Sequence, residues 1–145
     1  MITLIRHAES TFNAYGDLTR DCPITVKGME FAKKISGKYD LVICSSLKRA
    51  RQTLDASSLV YSNVFFSELC REVRDGVPIN LYNGESTNND NETEEQINIR
   101  IEKFKSFLHD TKKACPNIAV ITHYRFIEQL TGKRLRNCEQ VEYTL

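Results

Sequence analysis

The chain has 145 residues, a length typical of one domain folded around a single core. Apolar residues make up 41% and charged residues 27% of the sequence, values that argue against a disordered or fibrous protein. The 20 Lys and Arg residues nearly balance the 19 Asp and Glu residues. The resulting net charge of +1 gives no electrostatic reason to expect nucleic acid or an acidic membrane as a partner.

Targeting and cysteine patterns narrow the class of protein further. No run approaches the roughly 20 apolar residues that a membrane span needs, and the N-terminal segment lacks the basic start of a secretory signal. The five cysteines are widely spaced and contain no C-x-x-C pair, which argues against a zinc knuckle or a dithiol redox site. We therefore expect a cytoplasmic protein with reduced cysteines that act as small, mostly buried hydrophobes.

The apolar pattern predicts strands that alternate with helices. Runs of consecutive apolar residues predict buried strands, at 2–5, 40–44, 63–66 and 118–121. Helical spacing predicts helices, over 26–36, 47–60, 92–112 and a short last helix up to Gly132. In the first of these, Phe31, Ala32 and Ile35 share the predicted buried face. This alternation predicts a single three-layer α/β/α domain over 1–145 with a mainly parallel central sheet.

The polar, acidic stretch 84–95 interrupts this pattern. Its composition predicts an exposed loop that leads into the helix over 92–112.

Cationic and imidazole side chains follow the predicted strands. Arg6 and His7 come directly after the first strand, Arg49 follows the 40–44 strand, and His123 follows the last one. Ligands of open α/β sheets bind beyond the carboxyl ends of the strands. Any one of these groups could lie on a solvated face, but their matching positions favour a shared site for a phosphate or carboxylate.

The motifs around these residues resemble those of the histidine phosphatase superfamily, also called the phosphoglycerate-mutase-like family. Arg6-His7-Ala8-Glu9-Ser10 resembles the family's Arg-His-Gly signature. Residues 45–53 are similar to its Ser-x-Leu-x-Arg-Ala-x-Gln-Thr element, and 71–76 to its Arg-Glu-x-x-x-Gly segment. Further matches complete the resemblance over nearly the whole chain, at 21–28, Gly84-Glu85-Ser86, Arg100 and Ile121-Thr122-His123.

The resemblance implies a compact, metal-independent phosphatase that hydrolyses phosphomonoesters. His7 is expected to be the nucleophile and to form a transient phosphohistidine. Arg6, Arg49 and His123 are expected to surround the transferred phosphoryl group and to balance its charge. No metal or other cofactor is expected, because these side chains supply the positive charge. The expected partner is a small phosphorylated substrate.

Three further residues complete the site that the resemblance implies. Asn13 is expected to add a neutral donor, and Tyr124 to contact the substrate. Glu72 is expected to protonate the leaving alcohol, a form of help worth ~10²–10⁴-fold in rate. Glu68, four residues earlier, is the rival for this role. Lys48, Arg51 and His109 are expected at the surface.

Two departures from the family bear on the reaction. Tyr124 and Arg125 occupy positions where many members have small residues, and the second cation could suit a substrate with another anionic group. The segment between Gly76 and Glu92 is short, which predicts an open site and favours hydrolysis over transfer. The alternatives are a mutase-like phosphotransferase, a phosphohistidine or phosphoprotein phosphatase, and an inactive module that binds phosphorylated ligands.

Overall fold

The structure, a computed structural model, describes residues 1–17, 19, 21–74 and 92–145. The elements follow in chain order: β1 (Ile2–Arg6), α1 (Thr11–Tyr15), α2 (Val26–Ala32), β2 (Ser36–Ser45), α3 (Lys48–Ala56), β3 (Ser58–Ser67), α4 (Glu94–Thr111), β4 (Ile118–Thr122), α5 (Tyr124–Thr131) and β5 (Gln140–Tyr143). A single 3-10 turn, Glu68–Cys70, follows β3. No helix of the described part is long and apolar enough to cross a membrane.

The strands form one sheet in the order β3-β2-β4-β1-β5. Pairing is parallel except between β1 and β5, which run antiparallel. Apolar side chains of α4 and α5 cover one face, and those of α2 and α3 cover the other. The predicted three-layer α/β/α architecture is thereby confirmed.

Two predicted helices are shorter than their apolar pattern indicated. α2 ends at Ala32, so Ile35 is buried as part of the connection to β2, and Phe31 is 47% exposed rather than buried. α3 ends at Ala56, because residues 58–67 are rich in β-branched and aromatic residues and pair with β2 along its whole length. The strands predicted at 40–44 and 63–66 are correspondingly longer.

The helix predicted over 92–112 forms as α4. Its buried apolar residues are those expected from the spacing, Ile97, Ile101, Phe104 and Leu108. Glu92, however, lies in the stretch predicted to be exposed, yet its side chain is only 8% exposed because two arginines bind it. Thr93 caps α4, and Glu94 and Glu95 lie in its first turn. Residues 84–91, including Gly84-Glu85-Ser86, and the segment between Gly76 and Glu92 lie outside the described residues.

Candidate active site

The register of the two central strands places the two histidines side by side. β1 and β4 pair with Arg6 opposite Thr122, so His7 and His123 both follow directly at the same edge of the sheet. The backbone N–H of His7 donates to the Thr122 carbonyl oxygen at 3.0 Å. The two imidazole rings have their centroids 5.1 Å apart.

The contacts of His7 define its tautomer. Its Nδ1 lies 2.6 Å from the Ala8 carbonyl oxygen, which can only accept, so Nδ1 carries the proton. Arg49 Nε donates to Nε2 at 3.3 Å, which requires a free lone pair there. Burial, reinforced by the Arg49 charge, holds the pKa of His7 well below its ordinary value. His7 is therefore a neutral imidazole with an unprotonated Nε2.

A buried threonine joins the His7 loop to the arginine that faces it. Arg49 lies in the first turn of α3, and Thr53 lies one turn later. Thr53 Oγ1 donates to the Arg49 carbonyl at 2.7 Å and accepts from the Ala8 N–H at 2.9 Å. Both backbone segments that position the His7–Arg49 pair are thus fixed to one hydroxyl.

His123 is fully buried beside His7. Its Nε2 lies 2.8 Å from Ser45 Oγ, at the carboxyl end of β2. Its Nδ1 is buried and has no hydrogen-bond partner among the described residues. Burial, with the Arg49 charge acting in the same direction, lowers the pKa of His123 well below its usual range. The ring is neutral, with Nε2 beside the Ser45 hydroxyl and Nδ1 buried.

Glu72 is held at the start of α5 by backbone donors. Its Oε1 accepts from the N–H groups of Val73 at 2.9 Å and Phe126 at 3.0 Å, and its Oε2 accepts from Arg125 at 3.3 Å. Burial raises the pKa of the Glu72 carboxyl and outweighs the opposing effects of Arg49 and of these N–H groups. Because Oε1 takes the two shorter bonds, Oε2 is the oxygen better able to carry a proton.

These side chains open into one cavity of about 410 Å³. Its lining includes most of the predicted site, namely Arg6, His7, Asn13, Arg49, Glu72 and Tyr124. His123 is the one predicted site residue that does not line the cavity, although its ring centroid lies 5.1 Å from that of His7. The remaining lining residues were not predicted as site residues, apart from the suggestion that Arg125 could meet a second anionic group; they are Ser10, Phe12, Thr19, Cys22 and Arg125. Phe12 and Cys22 lie within or beside the motifs that match the family, and this position in the sequence could have identified them as site residues.

Arg6 and Asn13 line the cavity through contacts that orient them. Arg6 packs over the Tyr124 ring at 4.9 Å and donates from Nη1 to the Leu135 carbonyl at 2.9 Å. Asn13 Oδ1 accepts from the Ser10 N–H at 3.1 Å, so the side-chain NH2 of Asn13 is the group left to donate to a ligand. Both residues thus present donors to the cavity.

Other candidates lie away from the cavity. The Glu68 side chain is 74% exposed, and it contacts Ser46 and Arg71 instead. Lys48, Arg51 and His109 are exposed, as predicted. The cysteines are free; Cys22, Cys44 and Cys70 are buried, whereas Cys115 and Cys138 are only partly so. Within the described ranges, no three His, Cys, Asp or Glu side chains converge as metal ligands.

Close packing of α2 supports the His7 loop from behind. The Thr25 hydroxyl donates to Glu9 Oε1 at 2.8 Å and accepts from the Gly28 N–H at 2.9 Å. A Cβ on Gly28 would lie 2.4 Å from the Glu9 carbonyl oxygen. Only glycine therefore lets α2 approach this loop so closely.

Comparison with known proteins gives a family match over part of the chain and a shared fold over nearly all of it. A family model, "Histidine phosphatase superfamily (branch 1)", matches residues 2–63. No curated protein sequence matches the chain.

Solved structures similar to this chain include three enzymes. An α-ribazole phosphatase from Shigella flexneri superposes with a TM-score of 0.72 at 20% identity, covering 96% of this chain and 87% of its own. A phosphoserine phosphatase from Entamoeba histolytica gives 0.67 at 19%, with coverage of 96% and 87%. A phosphoglycerate mutase from Thermus thermophilus gives 0.66 at 18%, with coverage of 96% and 90%. At these identities the likeness establishes the fold.

Proposed function

Because a model of the histidine phosphatase superfamily matches residues 2–63, we propose that this chain belongs to that superfamily and hydrolyses phosphomonoesters through a phosphohistidine on His7. The family match supports phosphoryl-transfer chemistry of the phosphatase or mutase type. The observation that carries the finer proposal is the pairing of an unprotonated His7 Nε2 with a buried Glu72 carboxyl in one cavity. Together they are a nucleophile and a proton donor.

The first step is attack of His7 Nε2 on phosphorus. A bond forms between Nε2 and phosphorus, and the bond from phosphorus to the ester oxygen breaks. Glu72 gives its proton to that oxygen, and the alcohol leaves. Arg6 and Arg49 supply the positive charge that stabilises the phosphoryl oxygens, and His123 supplies a hydrogen-bonding nitrogen.

The second step returns the enzyme to its starting state. Glu72, now a carboxylate, takes a proton from water as the water oxygen attacks phosphorus. The phosphorus–Nε2 bond breaks, and inorganic phosphate leaves. His7 is again neutral with its proton on Nδ1, because the Ala8 carbonyl holds that proton throughout.

Hydrolysis requires that water rather than a second alcohol reaches the phosphohistidine. The segment between Gly76 and Glu92 leaves little chain for a cover over the cavity, which favours water. Transfer to an alcohol is the competing reaction. A reaction mixture that contains glycerol separates the two, because transfer releases more alcohol from the ester than inorganic phosphate.

The test is hydrolysis of para-nitrophenyl phosphate in excess EDTA by wild type and His7→Ala. We expect wild type to release phosphate and to carry a base-stable, acid-labile phosphoryl group after rapid quenching, and His7→Ala to do neither. His109→Ala is the matched control, because His109 is exposed in the last turn of α4. Equal rates from wild type and His7→Ala would reject the proposal. Phosphate binding without turnover would indicate a binding module.

A further inference from the structure

Arg100 on α4 binds the segment that carries Glu72, and its side chain is only 10% exposed. A guanidinium has five N–H donors, and here all five are used. Nη1 donates to the carbonyl oxygens of Leu69 and Arg71, both at 2.8 Å. Nη2 reaches the Glu72 carbonyl at 3.4 Å and Glu92 Oε1 at 2.8 Å, and Nε donates to Glu92 Oε2 at 2.9 Å.

Two other hydrogen bonds also restrain this segment, because the Thr122 hydroxyl donates to the Cys70 carbonyl oxygen and the Arg71 N–H donates to the Glu68 carbonyl oxygen. Residues 68–70 make one 3-10 turn, and the chain is extended at Arg71. Three carbonyl groups between Leu69 and Glu72 converge on Arg100, which therefore fixes the direction in which the chain presents the Glu72 side chain.

Arg100 also touches the group that holds the carboxyl end of Glu72. Its guanidinium lies over the Phe126 ring, 5.4 Å from the centroid. The Phe126 N–H donates to Glu72 Oε1 at 3.0 Å. Both the backbone and the carboxyl group of Glu72 are thus tied to residues that Arg100 contacts.

The charge of Arg100 is neutralised locally by Glu92. Burial alone would raise the pKa of Glu92, but hydrogen bonds and charge from Arg100 and Arg71 outweigh it and lower that pKa. Glu92 stays ionised and pairs with Arg100 through both oxygens. The guanidinium can therefore hold the Glu72 backbone while its charge is balanced by a carboxylate other than Glu72.

We propose that Arg100, held by Glu92, is a positioning residue that aims Glu72 at the leaving-group oxygen. This inference rests on the proposed function. Arg100 does not line the cavity, so it does not touch a bound substrate, and its hydrogen bonds act on the backbone that carries Glu72. Its loss would impair proton donation more than attack by His7, and the size of the effect would depend on the leaving group.

The test compares two esters. A dinitrophenyl phosphate expels a stable phenolate and needs no proton, whereas an alkyl phosphate such as glycerol phosphate needs one. Arg100→Lys keeps the charge opposite Glu92 but cannot span three carbonyls. We expect kcat on the alkyl ester to fall ~10²-fold, within the range of lost general-acid help, and kcat on the aryl ester to change by less than about threefold. Glu72→Gln should show the same selectivity.

Two further variants keep the outcome decisive. Lys105→Met is the matched control on the same helix, because the Lys105 side chain is 39% exposed and its partner among the contacts described is Glu102. Glu92→Gln removes the charge that pairs with Arg100 but leaves Arg100 itself unchanged. This variant should lose less kcat than Arg100→Lys, again more on the alkyl ester than on the aryl ester, and it provides the test even if Arg100→Lys does not fold.

The possible results separate the inference from the proposed function. Equal losses on both esters in Arg100→Lys and Glu92→Gln would show a general structural role and overturn the inference. Unchanged rates on both esters would overturn it as well. A wild type that hydrolyses neither ester would reject the proposed function, and the inference with it.

Discussion

Thr53→Val tests whether one buried hydroxyl positions both the proposed nucleophile, His7, and the facing Arg49. Thr53 is fully buried in α3, and its Oγ1 accepts from the Ala8 N–H and donates to the Arg49 carbonyl. Valine has nearly the same shape, so the substitution removes the hydroxyl without opening a cavity. Thr53→Ser is the matched variant, because it keeps the hydroxyl and removes a methyl group.

The contacts of Thr53 set the expected loss of stability and of activity in each variant. Valine leaves the buried Ala8 N–H without its acceptor, and such a group lowers the free energy of unfolding by about 1–3 kcal/mol. Serine costs about 1 kcal/mol for the lost methyl group. Activity should separate the two variants more clearly, because the Ala8 carbonyl fixes the His7 tautomer. We expect kcat/KM to fall about tenfold or more in Thr53→Val, on the scale of one lost orienting contact, and to stay near wild type in Thr53→Ser.

Urea denaturation and the kcat/KM for para-nitrophenyl phosphate measure these quantities for all three proteins. A Thr53→Val protein with wild-type stability and activity would refute the reasoning. So would a Thr53→Ser protein that loses as much activity as Thr53→Val, because the effect would then come from packing.

Three other outcomes are expected. The proposed reactive form has a neutral His7 and a protonated Glu72. The plot of log kcat/KM against pH should therefore fall on the acid side, through the lowered pKa of His7, and on the alkaline side, through the raised pKa of Glu72. Glu72→Gln should remove the fall on the alkaline side, and a fall that persists in this variant would have to come from another group. Glu68→Gln should keep kcat on alkyl phosphates within about twofold, because Glu68 is exposed, and a loss equal to that of Glu72→Gln would reverse the assignment of the acid. Gly28→Ala should lower the free energy of unfolding by about 1–3 kcal/mol in a thermal melt, because its Cβ meets the Glu9 backbone; an unchanged Tm would show that α2 can shift freely.

The strand ends could be predicted from the sequence, whereas the order of the strands could not. Consecutive apolar residues identified the cores of β1 and β4, and this placed His7 and His123 at one edge of a sheet. That these strands are direct neighbours depends on β4 lying between β1 and β2, a topology that no local pattern encodes. The family resemblance supplied the pairing of the two histidines, and the register explains it.

Glu92 shows why burial of a charged residue was not predictable. It lies among acidic and amide residues whose composition is typical of solvated loops. Its burial depends on Arg71 and Arg100, which are brought to it by the packing of α4 against the 68–72 segment. Similarly, Phe31 fits the apolar spacing of α2 and lies within that helix, yet it is 47% exposed and the ammonium groups of Lys27 and Lys34 lie over its ring.

Burial of the cavity wall acts in opposite directions on its two kinds of titratable group. Desolvation disfavours any charged form, so it lowers the pKa of His7 and His123 and raises that of Glu72. All three groups are thereby driven toward neutrality. A neutral imidazole can attack phosphorus, and a neutral carboxyl can protonate a leaving oxygen. In the proposed reaction, the positive charge needed by the phosphoryl oxygens then falls to Arg6 and Arg49, because a guanidinium keeps its proton even when partly buried. One physical cause therefore prepares the proposed nucleophile and the proposed acid together, before any substrate binds.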